Sequence, residues 1–135
     1  MSIIDILNKG VEFTNSDDDA CEMLVDFKNH KVGIQLDNKD VTLVIKDSVV
    51  SLEEGIRDDC DAVMKMKDLD MCGAIDNSYD LMEIKDKGEI VKGDVKDPAI
   101  AVHFMATFPY FDAMVRLYED NEEYKKQVDE LKSSL

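Results

Sequence analysis

Two histidines, three cysteines, a run of acids and one pair of glycines are the parts of this sequence that could do chemistry. His103 lies inside an apolar segment, where an imidazole reads as a core residue before it reads as a catalyst. His30 reads as the end of a helix, and neither histidine has a cysteine or carboxylate at ligand spacing beside it. The run Asp17-Asp18-Asp19 lacks the glycine and distal glutamate of a calcium loop and reads as helix capping. Gly88 to Gly93 (GEIVKG) shares only its glycine spacing with a phosphate loop, since its middle is strand-like and no Lys-Ser/Thr follows. Cys60 or Cys72 as a nucleophile would need a base, yet no histidine is near and acidic neighbours raise a thiol's pKa. The expectation is therefore no catalytic residue and no metal ligand, with an enzyme built on His103 and Cys72 or a carboxylate as a rival.

The bulk composition narrows the partners. Acidic residues number 31 against 16 basic ones, a net charge of −15. Such a surface repels nucleic acid phosphates, which need clustered Lys and Arg. The three cysteines form no CxxC and read as reduced, buried thiols. Met1 to Leu7 lacks the basic start of a leader, and the longest uncharged run, Pro98 to Phe111, is too short to span a bilayer. The chain ends Ser133-Ser134-Leu135, without the basic middle residue of a peroxisomal address, so cytoplasm is the expected compartment.

The elements read as one domain over residues 1–135, with N-terminal helices in 1–30 and an amphipathic helix in 119–135. Ser2 caps a first helix with Ile3, Ile4, Leu7 and Val11 as its stripe. Ser16 caps a second, carrying Ala20, Met23, Leu24 and Phe27 at helical spacing and ending at Asn29 and His30. The period then becomes two. Val32, Ile34 and Leu36 make a first strand; Val41 to Lys46 and Val49 to Leu52 make a hairpin turning at Asp47-Ser48; Ala62, Met64 and Met66 make a fourth strand, and Glu89 to Lys92 a fifth. Asp68 caps a short helix with Gly73 near its end, and Ser78 to Gly88 reads as another helix. Asp97-Pro98 opens a long helix with Ile100, Phe104, Phe108 and Phe111 on one face, kinked or restarted at Pro109. The stripe Tyr124, Val128, Leu131 and Leu135 needs a partner surface, in its own domain or in a second subunit.

An apolar excess remains. Met64, Met66, Met71, Met82, Met105 and Met114 crowd the second half, and flexible, polarizable methionine suits a pocket that adapts to aliphatic ligands; plain core filling is the competing reading. From Val32 to about Tyr118 the chain resembles the sterol carrier protein 2 (SCP-2) domain family. The resemblance rests on the hairpin Val41 to Leu52 followed by Gly55, on the alternating strand Cys60 to Met66, and on Lys87-Gly88-Glu89-Ile90-Val91-Lys92-Gly93-Asp94, which is similar to the family's Gly-Lys-Leu-x-x-x-Gly-Asp signature. Glu89 stands where lysine is common in that signature, and Ser48 where the hairpin often has glycine.

The resemblance implies an α+β fold: a five-stranded, mostly antiparallel sheet covered on one face by helices, here with an extra C-terminal helix. It implies a lipid tunnel between sheet and helices that takes fatty acids, acyl-CoAs, sterols or isoprenoids without a cofactor. Candidate lining residues are Leu43, Ile45, Val63, Met64 and Met66 on the sheet, and Met71, Ile75, Leu81, Ile84, Phe104, Phe108, Phe111 and Met114 on helices. The alternative is a non-catalytic module with a filled core that forms a homodimer through its C-terminal helix.

Overall fold

Ser2 opens helix α1 (Ile3–Ser16) through a reciprocal capping box. Its hydroxyl accepts from the Asp5 amide, and the Asp5 carboxylate accepts from the Ser2 amide, satisfying two donors that helix geometry would orphan. The structure, a computed structural model, describes residues 2–80, 83, 87–93 and 97–135. The second cap falls one residue later than the sequence suggests. Ser16 ends α1 with its hydroxyl donating to the Phe13 carbonyl, and Asp17 caps α2 (Asp18–Leu24) by accepting from the Ala20 amide. Asp17 also takes the Arg116 guanidinium, which holds its carboxyl below the usual carboxylate range; a hydroxyl could not do both jobs. Asn29 and His30 do not end a helix, because both are already paired in a strand.

That strand is β1 (Asn29–Gln35), the centre of a sheet ordered β3-β2-β1-β4-β5. The others are β2 (Asp40–Lys46), β3 (Val49–Glu54), β4 (Ala62–Lys65) and β5 (Glu89–Lys92). Neighbours run antiparallel except β1 and β4, which pair in parallel. Asp47 and Ser48 both adopt positive φ (53° and 66°), the requirement of the tight hairpin turn whose twist matches the strands.

Register sorts the side chains. Val32, Ile34, Val41, Leu43, Ile45, Val50 and Met64 share one face, and the helices cover it. Gly33, Thr42 and Val63 look the other way, where a Cβ on Gly33 would stand 2.9 Å from the Ile56 side chain and 3.1 Å from Val63. Thr42 ties the chain after β3 to this back face, its hydroxyl donating to the Gly55 carbonyl and accepting from the Arg57 amide.

Helix α3 (Asp68–Ile75) departs from the sequence reading at its start. Lys67 precedes it, and Asp68 accepts from the Asp37 amide while Asp37 accepts from the Asp68 amide, a clasp between the end of β1 and the start of α3. Gly73 lies near the end of the helix, which closes at Ile75, and its missing side chain makes room for the Tyr79 ring, 2.6 Å from where a Cβ would sit. Of the helix expected over Ser78–Gly88, residues 81, 82 and 84–86, Met82 among them, lie outside the described residues, and Ser78 to Asp80 are not helical. Asp97 caps α4 (Pro98–Met105) by accepting from the Ala99 amide. The chain breaks at Ala106–Thr107 and restarts as α5 (Phe108–Asp120) with Pro109 in its first turn, where a missing amide proton costs nothing.

Asn121 caps α6 (Glu122–Ser134). The stripe that the sequence offers to its own domain or to a second subunit is used within the chain: Tyr124 and Val128 are buried, Leu131 packs on the same core, and Leu135 remains exposed. Tyr124 donates to the Ile6 carbonyl at 3.2 Å and Tyr110 to the Leu7 carbonyl at 2.7 Å, fixing α6 and α5 against α1. The crossing of α1 and α5 is close because Gly10 has no side chain. A Cβ there would stand 2.5 Å from Met114 Cγ and Sδ and 3.2 Å from the Tyr110 ring. Gly10→Val should destabilise the protein by about 1–3 kcal/mol through overpacking, read as a lower urea midpoint with unchanged slope.

Candidate functional site

The sheet–helix interface gathers most of the residues expected to line a pocket. Leu43, Ile45, Met64 and Met66 from the sheet side meet Met71 and Ile75 of α3 and Phe111 and Met114 of α5 in one buried cluster. Phe104 is half-buried against it. Phe108 is half-buried at the start of α5; the break at Ala106–Thr107 ends the helical spacing that would have set it in line with Phe104. Val63 cannot join, because it lies beside Met64 on the strand and so faces the back of the sheet with Gly33 and Ile56. Leu81 and Ile84 lie outside the described residues.

The two ends of this interface differ. Helix α4 covers the N-terminal ends of β1 and β4, and its sequence PAIAVHFM has His103 as its one polar side chain. None of its residues is buried, and Val102 and Met105 are 42% and 48% exposed. By contrast α3 buries five consecutive residues, Met71 to Ile75. Ile100 seats α4 against Gly93, whose φ of +106° and absent Cβ let the two approach; a Cβ would stand 2.7 Å from an Ile100 methyl. At the C-terminal ends of β1 and β4 a cleft of about 510 Å³ is lined by Gln35, Leu36, Asp37, Lys65, Met66, Lys67, Lys87, Gly88 and Glu89. Leu36 and Met66 belong to the buried cluster, so this cleft has the core as part of its wall and three lysines at its rim.

The histidines do not stand alone, as their sequence context suggests. His30 of β1 and His103 of α4 meet through their Nδ1 atoms at 2.7 Å, with rings edge-on at 4.9 Å, and Phe27 packs edge-on to His30 at 5.8 Å. One imidazole must donate and the other accept. Asp61, just before β4, places its Oδ2 3.7 Å from His103 Nδ1 and accepts there from the Lys31 amide at 2.9 Å. No local spacing announces this group. It arises because β1 and β4 pair in parallel and α4 crosses above them. Burial pushes the His30 pKa down, and the neighbouring His103 pushes it the same way against the opposing pull of Asp61. Among the described residues, these three are the metal-ligating side chains that come within mutual reach.

The thiols are differently placed. Cys60 and Cys72 are buried and Cys21 half-buried, all unpaired. Burial, followed by Asp76 and Asp68, pushes the Cys72 thiol up to about 11, so at neutral pH it is a protonated, poor nucleophile. Among the described residues no helix is long and apolar enough to cross a membrane.

The sequence matches no protein-family model and no curated protein. Solved structures do match in fold. A conserved hypothetical protein of Thermus thermophilus, described as a candidate sterol carrier protein, superposes with a TM-score of 0.60 at 10% identity, over 83% of this chain and 85% of that one. A ubiquinone synthesis protein described as UbiJ-SCP2 gives 0.49 at 14% identity, over 77% and 87% of the two chains. A stereoselective inverting sec-alkylsulfatase from a Pseudomonas species gives 0.47 at 16% identity, over 67% of this chain and 14% of that one. The architecture is an SCP-2-like α+β fold.

A depressed histidine carries a pH signature. The folded state binds the His30 proton less readily than the unfolded chain, so its contribution to stability is full above about pH 7. It is lost as pH falls through the ordinary value of 6.5 toward the lowered one. Urea midpoints should therefore drop between pH 7 and 5.5 in the native chain, and His30→Gln should flatten that slope.

Proposed function

We propose that this chain binds a hydrophobic ligand of lipid type between the sheet and the helices, with α4 as the wall that yields. The observation that carries the reading is α4 itself: seven apolar side chains around one histidine, none of them buried. A helix this apolar normally hides its surface. One that rests half-exposed over the edge of a hydrophobic interface suits a cover that lifts and re-seats. The SCP-2-like architecture supports the same reading, as does a lining rich in methionine (Met64, Met66, Met71, Met114), whose unbranched side chains re-pack around varied aliphatic shapes.

The energetics suit a carrier. Each methylene removed from water contributes about 0.8 kcal/mol, so a chain of about sixteen supplies roughly 13 kcal/mol before costs. Lost ligand freedom and displaced packing remove a large part of it, leaving affinity that is tight yet reversible. Selectivity then rests on the polar rim. Lys65, Lys67 and Lys87 around the cleft would receive an anionic head group whose tail reaches Leu36 and Met66. In a chain of net charge −15, three lysines against Asp37 and Glu89 leave this rim on the positive side of neutral.

The density of the interface favours a second reading. Leu43, Ile45, Met71, Ile75, Phe111 and Met114 are all but fully buried, as in a filled core that binds nothing. Native mass spectrometry of freshly purified protein, followed by organic extraction, separates the two. A bound mass of a few hundred daltons that extraction removes supports the carrier, and Ile75→Trp should abolish it while the chain stays folded. A clean mass that persists after incubation with fatty acids, acyl-CoA and isoprenoids supports the filled core. If the rim reads the head group, the pair Lys65→Glu and Lys67→Glu should weaken a fatty acid at least tenfold more than the alcohol of equal length, measured by competition with a fluorescent fatty acid.

A further inference from the structure

We propose that His30, Asp61 and His103 form a binding site for one divalent transition-metal ion, with Zn²⁺ as the ion best matched to the donors. The site does not rest on the lipid reading, although an ion bound there would hold down the helix that reading needs to lift. Two imidazoles and one carboxylate are a donor set that zinc and its neighbours favour, and three protein ligands leave a coordination position for water.

Three features make this more than a chance cluster. First, the ligand atoms come from three separate elements and all lie within 4.8 Å of one another. The parallel β1–β4 register sets Lys31 next to Asp61, and α4 brings His103 over both. Second, the carboxylate is oriented from behind: Asp61 Oδ2 accepts from the Lys31 amide at 2.9 Å, the outer-shell support that bound carboxylates require. Third, both histidines aim the same nitrogen, Nδ1, at one point and approach to 2.7 Å. Two neutral imidazoles so placed share one proton. A tetrahedral ion with bonds of about 2.0–2.1 Å needs its nitrogens about 3.3 Å apart, so the rings need part by only about 0.6 Å to admit it. The ion takes the place of the shared proton, which leaves Nδ1 while the ring takes up a proton at Nε2, so both rings stay neutral as ligands.

Such an ion would staple α4 to the sheet. His103 is the one polar group on a helix with no buried residue, so the tie would act where packing holds least.

The test uses untagged, full-length protein stripped with a chelator. Calorimetric titration with ZnCl₂ should show one site with micromolar or tighter affinity, and Co²⁺ in its place should give visible ligand-field bands of four- or five-coordinate intensity. His103→Gln and Asp61→Asn should each weaken Zn²⁺ by roughly 100-fold or more. The chain has 2 histidines, so imidazole NMR of the native protein reads the site directly even where a variant misfolds. Both ring-nitrogen sets must shift on adding one equivalent of Zn²⁺. Absence of uptake below millimolar Zn²⁺, unchanged affinity in the variants, or imidazole signals that stay put would overturn the proposal and leave only loose binding to surface carboxylates.

Discussion

The parallel pairing of β1 with β4 is the contact on which the rest of the arrangement hangs. After three antiparallel strands could have continued as a simple meander, the chain carries residues 55–61 across the back of the sheet and lays β4 on the far side of β1. Its register places Ala62 beside Val32 and Met64 beside Ile34, which extends the apolar face under the helices by one strand. The same register requires Gly33 to be small, since Ile56 and Val63 close over it. It also brings the Lys31 amide to the Asp61 carboxylate. A one-residue slip would turn every one of these side chains to the other face.

The two ends of the interface are built differently from its middle. In the middle, α3 and α5 press a dense layer of methionine, isoleucine and phenylalanine onto the strands. Toward the N-terminal ends of β1 and β4 the cover thins to α4, held by Ile100 at Gly93 and by the histidine pair. Toward the C-terminal ends the wall becomes lysine around Leu36 and Met66. A dense middle gives the sheet its stability, while the thin and the charged ends are where exchange with solvent costs least.

Whatever depended on neighbours a few residues apart was legible in the sequence. The alternation of Val32, Ile34 and Leu36, the Asp47-Ser48 reversal, the caps at Ser2 and Asp97 and the restart at Pro109 all follow from local geometry. Residues with two plausible jobs were not legible. Ser16 and Asp17 are both good caps, and only Arg116, far along the chain, decides between them. Gly73 lies near the end of α3 as its sequence position suggests, but its second job, making room for Tyr79, is set by a residue beyond the helix. The α6 stripe signals that a partner exists, and amphipathicity alone cannot say that the partner is α1 and α5. The meeting of His30 with His103 was the least visible of all, because it depends on strand order rather than on spacing.

Tyr124 reaching back to the Ile6 carbonyl has a consequence for how the protein is made. Their contact closes nearly the whole chain into one loop, joining a helix near the start to one near the end, and the core between them is shared by both. A ribosome delivers α1 first, and although β3 and α2 follow early to cover part of it, the tyrosines that bond the Ile6 and Leu7 carbonyls arrive only with α5 and α6. Folding is then an event that follows translation of this segment rather than one that tracks it. During that interval the acids spread along the nascent chain keep its apolar stretches apart, so the charge excess of the finished protein also serves the unfinished one.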